Sequence, residues 1–423
     1  MYRQTTLKNG IKTYFVPVKG TQAVTVLALA KVGSRYERRV ISGASHFIEH
    51  LMFKGTERRP TTLNLSRELD SIGAEFNAAT SKDWTGYYIK ASNAHIEKAL
   101  DVISDMLWHS KFEEKEFIRE KGVIIEEINM YEDNPLLYIE DLLEQAMYEG
   151  STLGWEVAGT KAIIKKMKRA DLLRYRDRFY QPRNMVLVVA GNFSKVKTLA
   201  DKYFADLAPK TKAKPYAYKK FSGFKSSRTP KCKIKYKKTE QVHLAVGFPG
   251  LRYESRDMPA LQLMHVIFGG TMSSRLFIAI RERQGLAYYV RSSVDSYEDS
   301  GLFTIRSGLD IKRFDKAADI LKKEIKRFKK HGPTSEEIKR AQEYIKGKLA
   351  LSLEDSFNLA EFYGKQALLF KRIKTPKQRL ADIMKVDQKK VRQIAGRVLD
   401  WDRAGVAVIG PFKTKASVLK YFK

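Results

Sequence analysis

Apolar positions along the chain follow two periods in turn. Residues 11–18 and 23–30 carry the β-branched and aromatic runs of strands, the first directly after Asn9-Gly10. From residue 44 the spacing becomes helical, with Phe47, Ile48, Leu51 and Met52 forming the apolar side. An amphipathic helix over 63–72 precedes predicted strands over 73–80 and 84–90, and helical spacing returns over 95–107. Ser110 and Glu113 make a capping box, which predicts a long helix running to about residue 131. A helix over 136–148, a loop over 150–154, helices within 161–179 and a strand over 185–192 follow.

The second half repeats the first. Residues 242–248 resemble the strand before residue 44, and Phe268-Gly269-Gly270-Thr271 answers Phe53-Lys54-Gly55-Thr56, an offset of 215. Residues 406–412 answer 187–193 at an offset of 219. Two nearly equal offsets predict a duplicated unit of sheet plus helices. Between the copies, 209–218 is basic, carries two prolines and breaks the periodic pattern. The expected domains are 1–208 and 222–423, joined by a linker at 209–221.

Composition narrows the function classes. At 423 residues, with 43% hydrophobic, the chain can bury more than one core. It has no run of about 18 uncharged apolar residues and no apolar signal segment, so a cytoplasmic protein without a membrane partner is expected. One cysteine, Cys232, excludes an internal disulfide and any zinc site made of several thiolates. The formal charge of +31 invites a nucleic-acid reading. Yet the lysines are spread over 210–238 and the helical stretch 319–330, with no groove-reading motif or aromatic platform. Solvated faces account for them, and no specific nucleic-acid partner is expected.

Metal chemistry must then come from histidines and carboxylates, and one stretch concentrates them: His46-Phe47-Ile48-Glu49-His50. On a helix, His46 and His50 stand one turn apart on one face, so both rings can meet one ion. Glu49 borders that face and suits a carboxylate that holds and deprotonates a water on the metal. The order is H-x-x-E-H, the reverse of H-E-x-x-H. On the long helix, Glu120 and Glu127 lie two turns apart on a shared face, while Glu126 points away from Glu120. The offset of 215 projects the motif onto Leu261-Gln262-Leu263-Met264-His265, where only the last histidine is matched. Only the first copy can hold a metal in this way.

These residues resemble the pitrilysin/insulinase family of zinc peptidases, and within it the bacterial relatives of the mitochondrial processing peptidase β-subunit. The resemblance also rests on Phe76-Asn77-Ala78, Glu126-Glu127-Ile128, residues 184–191, Ser273-Ser274-Arg275-Leu276 and residues 281–288. It implies an α+β fold of two homologous domains, each a mainly antiparallel sheet flanked by helices, arranged as a clamshell around a peptide chamber. It further implies one zinc ion per chain on His46, His50 and Glu127, with Glu49 as general base and Glu120 positioning the ligands. Phe76, Asn77 and Ala78 match the strand that holds an extended substrate, and Arg281 and Tyr288 match the pair that meets the substrate carbonyl. The activity implied is that of a zinc metalloendopeptidase acting on peptides, as a homodimer. The alternative is a catalytically inactive member serving as a binding or assembly subunit. Such members typically lose part of the metal motif or the Arg/Tyr pair, and this chain has both.

Overall fold

A computed structural model describes residues 2–422. The first sheet contains β1 (Arg3–Thr6), β2 (Lys12–Pro17), β3 (Ala23–Ala30), β4 (Glu75–Thr80), β5 (Thr85–Ser92) and β6 (Met185–Gly191), in the order β1-β2-β6-β3-β5-β4. Only β2 and β6 run parallel; the other neighbours are antiparallel. Alternation explains why the central strands β3 and β6 read as apolar runs, interrupted in β3 by Thr25, whose hydroxyl lies 2.8 Å from that of Ser356. Val24, Val26, Ala28 and Ala30 of β3 enter the main core, whereas Leu27 and Leu29 enter a smaller core on the opposite face. On β6, Leu187 and Val189 take the first side, and Val186, Val188 and Ala190 the second. A sheet covered on both faces favours apolar residues on both sides of its strands.

The second sheet contains β7 (Lys231–Tyr236), β8 (Gln241–Pro249), β9 (Ala287–Ser296), β10 (Gly301–Asp310) and β11 (Gly405–Gly410), in the order β7-β11-β8-β10-β9. Its one parallel pair is β7 with β11. Apart from β1, this reproduces the order β2-β6-β3-β5-β4 strand for strand and direction for direction. The duplication expected from the two offsets is therefore a duplication of topology, in two homologous α+β units.

The units interleave along the chain. One comprises residues through 129, 156–218 and 349–375; the other comprises 130–155, 219–348 and the residues from 376 onward. The helix Ser356–Leu369 covers β3 and β6, with Gly364 against Leu27, Leu29 and Val188. The helix Pro135–Met147 covers β8 and β11, with Leu143 on Gly247 and Met147 on Gly405. Each half of the sequence thus lends a helix to the other half's sheet.

The stretch 205–230 contains no helix or strand, but its aromatic residues are fastened down. Tyr216 and Tyr218 meet Phe179 and Tyr36 edge-on in the first unit, and Phe221 meets Tyr148 in the second. One local expectation changes. Ser110 does not cap the long helix, because its hydroxyl donates to the carbonyls of Met106 and Met52 and closes the helix Ile96–His109 instead. Phe112 then takes a left-handed φ of 52°, and the long helix runs Glu114–Asp133. Among the described residues, no helix is long and apolar enough to cross a membrane. Cys232 is buried on β7, and burial pushes its thiol up to about 11, which keeps it protonated.

Candidate metal centre

The metal motif sits on the helix Ala44–Met52. Gly43 starts it with a left-handed φ of 96°, in a place where a Cβ would lie 2.5 Å from the carbonyl oxygen of Ala158. Glu37 accepts from the N–H groups of Gly43 and Ser45 at 2.7 Å each, satisfying amides of the first turn. Phe47, Ile48, Leu51 and Met52 are fully buried, which turns His46, Glu49 and His50 toward the other side.

Glu120 and Glu127 come from the helix Glu114–Asp133. Glu127 Oε2 lies 3.6 Å from His46 Nε2 and 3.4 Å from His50 Nε2. The three side chains retain 12%, 20% and 24% exposure for His46, His50 and Glu127, so none of them is sealed from solvent. Their ligand atoms all lie within 4.8 Å of one another, and no other group of three or more such residues occurs among the described residues.

Glu120 is different: its side chain is 1% exposed, its Oε2 lies 3.0 Å from His50 Nδ1, and its Oε1 lies 2.8 Å from Lys54 Nζ. A carboxylate there holds hydrogen on Nδ1, so an ion that displaces the Nε2 proton meets the nitrogen facing Glu127. Before that displacement the ring is held as imidazolium. Burial alone would lower the His50 pKa, but hydrogen bonds to Glu120 and Glu127 hold it up at about 9. Hydrogen bonds from His46 and His50 hold the Glu127 carboxyl well below the usual carboxylate range, against burial. The site favours positive charge, and two imidazoles with one carboxylate are a donor set that zinc accepts with one position left open. The residues present fit the ion.

Glu49 leaves the same helix beside His50, and the hydroxyl of Thr80, at the end of β4, donates to its Oε2. Behind it lie Tyr87 and Tyr180, buried and joined through their hydroxyls at 2.8 Å. Burial raises the pKa of both, and the Glu49 charge adds to the effect. Sequence reasoning missed Thr80 and Lys54. Thr80 shares the inward face of β4 with Phe76 and Ala78, so its period-two position was the available signal.

Phe76, Asn77 and Ala78 lie on β4, the last strand of its sheet, paired only with β5. Asn77 Oδ1 accepts from the Ala78 N–H at 2.8 Å. In the second unit, Arg281 is exposed and its guanidinium lies 5.0 Å from the ring centroid of Phe277. Tyr288 is 65% exposed. Ala287 opposes Leu309 while Tyr289 opposes Gly308, so Tyr288 is the extra residue of a β-bulge and is pushed outward. His265, the lone match to the motif, meets the Ser292 hydroxyl at 2.8 Å and has its pKa lowered by burial.

A three-ligand His/His/Glu centre on one copy of a duplicated α+β unit defines a metallohydrolase of the inverted-motif kind. The insulinase family, peptidase family M16, matches residues 16–161, and the peptidase M16 inactive domain matches 166–345. The chain belongs to this family. It is 35% identical over 413 residues to the uncharacterized zinc protease YmxG of Bacillus subtilis, covering 97% of this chain and 98% of that one. It is also 35% identical over 410 residues to an uncharacterized zinc protease of Rickettsia bellii, with 96% of each covered. A protease of Helicobacter pylori shares the fold, with a TM-score of 0.90 at 23% identity over 97% of this chain and 99% of that one.

Proposed function

We propose that this chain is a zinc-dependent endopeptidase that cuts peptides and unfolded polypeptide segments, akin to the bacterial relatives of the processing-peptidase β-subunit. The observation that carries the reading is the convergence of His46 Nε2, His50 Nε2 and Glu127 Oε2, with the far nitrogen of His50 held by Glu120. Bound there, zinc supplies Lewis acidity and brings a water's pKa toward neutrality. Glu49 takes that water's proton and later hands it to the departing amine. Thr80 limits where the Glu49 carboxylate can point. The free edge of β4 at Phe76, Asn77 and Ala78 pairs with an extended peptide through backbone hydrogen bonds, which tolerates many side chains.

Arg281 and Tyr288 are assigned as donors to the substrate carbonyl, which develops negative charge during attack. Supporting this are the exposure of both side chains and the bulge that extrudes Tyr288. A homodimer in the cytoplasm completes the reading, and sedimentation analysis tests its oligomeric part.

The deciding experiment is cleavage of a quenched fluorescent peptide library by the purified chain and by Glu49→Gln, with zinc measured in both. Equal zinc and activity in the wild type alone is the expected result. Equal zinc with no cleavage by either supports a binding subunit, and absence of zinc from both removes the site.

A further inference from the structure

A cavity of about 640 Å³ lies in the first unit, bounded by Arg38, Arg174, Arg178, Lys210 and Tyr216 together with Asp171 and Asp177. None of the residues assigned to the zinc centre lines it. Its volume is in the range of small-molecule sites. Its charges are unevenly paired. Asp171 is engaged by Arg174, and Asp177 by Arg176, whose guanidinium lies 2.7 Å away. Neither carboxylate forms an ion pair with the remaining cations.

Those cations are Arg38, Arg178 and Lys210. The Arg38 and Arg178 guanidinium carbons lie 5.2 and 5.1 Å from the ring centroid of Tyr216, so one aromatic ring gathers both. No ion pair to any of the three occurs among the described residues. Three like charges gathered at one cavity repel one another, and an anion seated among them removes that cost. Guanidinium forks match phosphate oxygens in pairs, and an ammonium adds a point charge.

We propose that this cavity binds a compact phosphate oligoanion, with Arg38, Arg178 and Lys210 as its cationic ligands and Tyr216 holding the two arginines in place. Two sources carry that chemistry, free inorganic oligophosphate and the phosphate tail of a nucleotide.

Calorimetric titration of the zinc-loaded full chain with tripolyphosphate, and separately with ATP, at physiological salt tests it. One site per chain is expected for tripolyphosphate, weakened at least about tenfold in Arg38→Gln/Arg178→Gln. The single variant Lys210→Gln, at an exposed position, is expected to weaken it as well and covers the case in which the double variant misfolds. The charge-matched control Lys385→Gln/Lys389→Gln, exposed and in the other unit, is expected to bind like wild type. Extraction of zinc by the anion contributes equally in every protein, so the differences isolate the cavity. Equal binding of both anions supports recognition of the phosphates alone, and tighter ATP binding that is still lost in the variants supports a nucleotide tail. No wild-type binding, or binding lowered as much by the control as by the cavity variants, overturns the proposal.

Discussion

Glu120 Oε2 stands 3.0 Å from Nδ1 of His50, so a buried carboxylate backs one of the three residues of the His46, His50 and Glu127 cluster. The arrangement sets an expectation for ion affinity rather than for chemistry alone. Glu120→Gln should weaken zinc binding by about 10- to 100-fold. Lys54→Met, which removes only the outer partner of Glu120, should weaken it less. Competition with a chromogenic chelator measures both.

Glu49 and Thr80 form the second pair to test. Glu49→Gln should lower kcat by about 10²- to 10⁴-fold with zinc content unchanged. Thr80→Val keeps the shape but removes the hydroxyl that holds the carboxylate. It should reduce kcat by about tenfold and leave KM unchanged. Steady-state kinetics beside metal analysis separates these effects from loss of the ion.

Tyr288 lies far enough into solvent that its hydroxyl can be removed without disturbing packing. Under the proposed role, Tyr288→Phe should cost about 10²- to 10³-fold in kcat. Its thermal midpoint and zinc content should equal those of the wild type.

Arg59, with a 7% exposed side chain, reaches Glu68, Asp101 and Asp105 at 2.5, 2.6 and 2.7 Å. Its hydrogen bonds, assisted by Lys98, pull the Glu68 carboxyl down to about 2 from its usual 4.5. A lowered pKa stabilises the fold above pH 4.5, and that contribution disappears as pH falls toward 2. Arg59→Leu strands the carboxylates and should cost about 3–5 kcal/mol at neutral pH. The gap in thermal midpoint between wild type and variant should narrow steadily in acid.

Gly364 and Gly347 should respond oppositely to alanine. A Cβ at Gly364 would lie 2.7 Å from Leu29 Cδ1, and crowding there should cost about 1–3 kcal/mol. Gly347, on the helix Ser335–Ser352, has nothing within 4 Å of that position. Its alanine variant should gain about 0.5–1 kcal/mol, measurable by denaturant titration.

The central strands β3 and β6 were legible because both of their faces are buried, and their residue pattern records this directly. His46 and His50 were legible from spacing on one helix. Glu127 was only half legible, since a shared helix face makes Glu120 and Glu127 equivalent until a tertiary partner distinguishes them. Here Glu120 is covered and paired with Lys54, whereas Glu127 faces both histidines. The covering of each sheet was not legible at all. An apolar stripe on the Pro135–Met147 helix says that it is buried, but carries no mark of which sheet receives it. Thr80 was hidden for a related reason: its partner is 31 residues away in sequence.

The helix exchange makes the two halves of this protein mutually obligate. Synthesised alone, residues 1–208 would present Leu27, Leu29 and Val188 to water without Leu359, Ala360 and Tyr363 to cover them. A lone 222–423 fragment would likewise bare Ala245, Ala407 and Ile409, which Leu143 and Met147 cover in the intact chain. Severing the backbone in 209–221 would therefore yield two fragments that still copurify, while expressing either fragment by itself would yield an aggregate. The ancestral duplication can no longer be undone by dividing the gene at its midpoint.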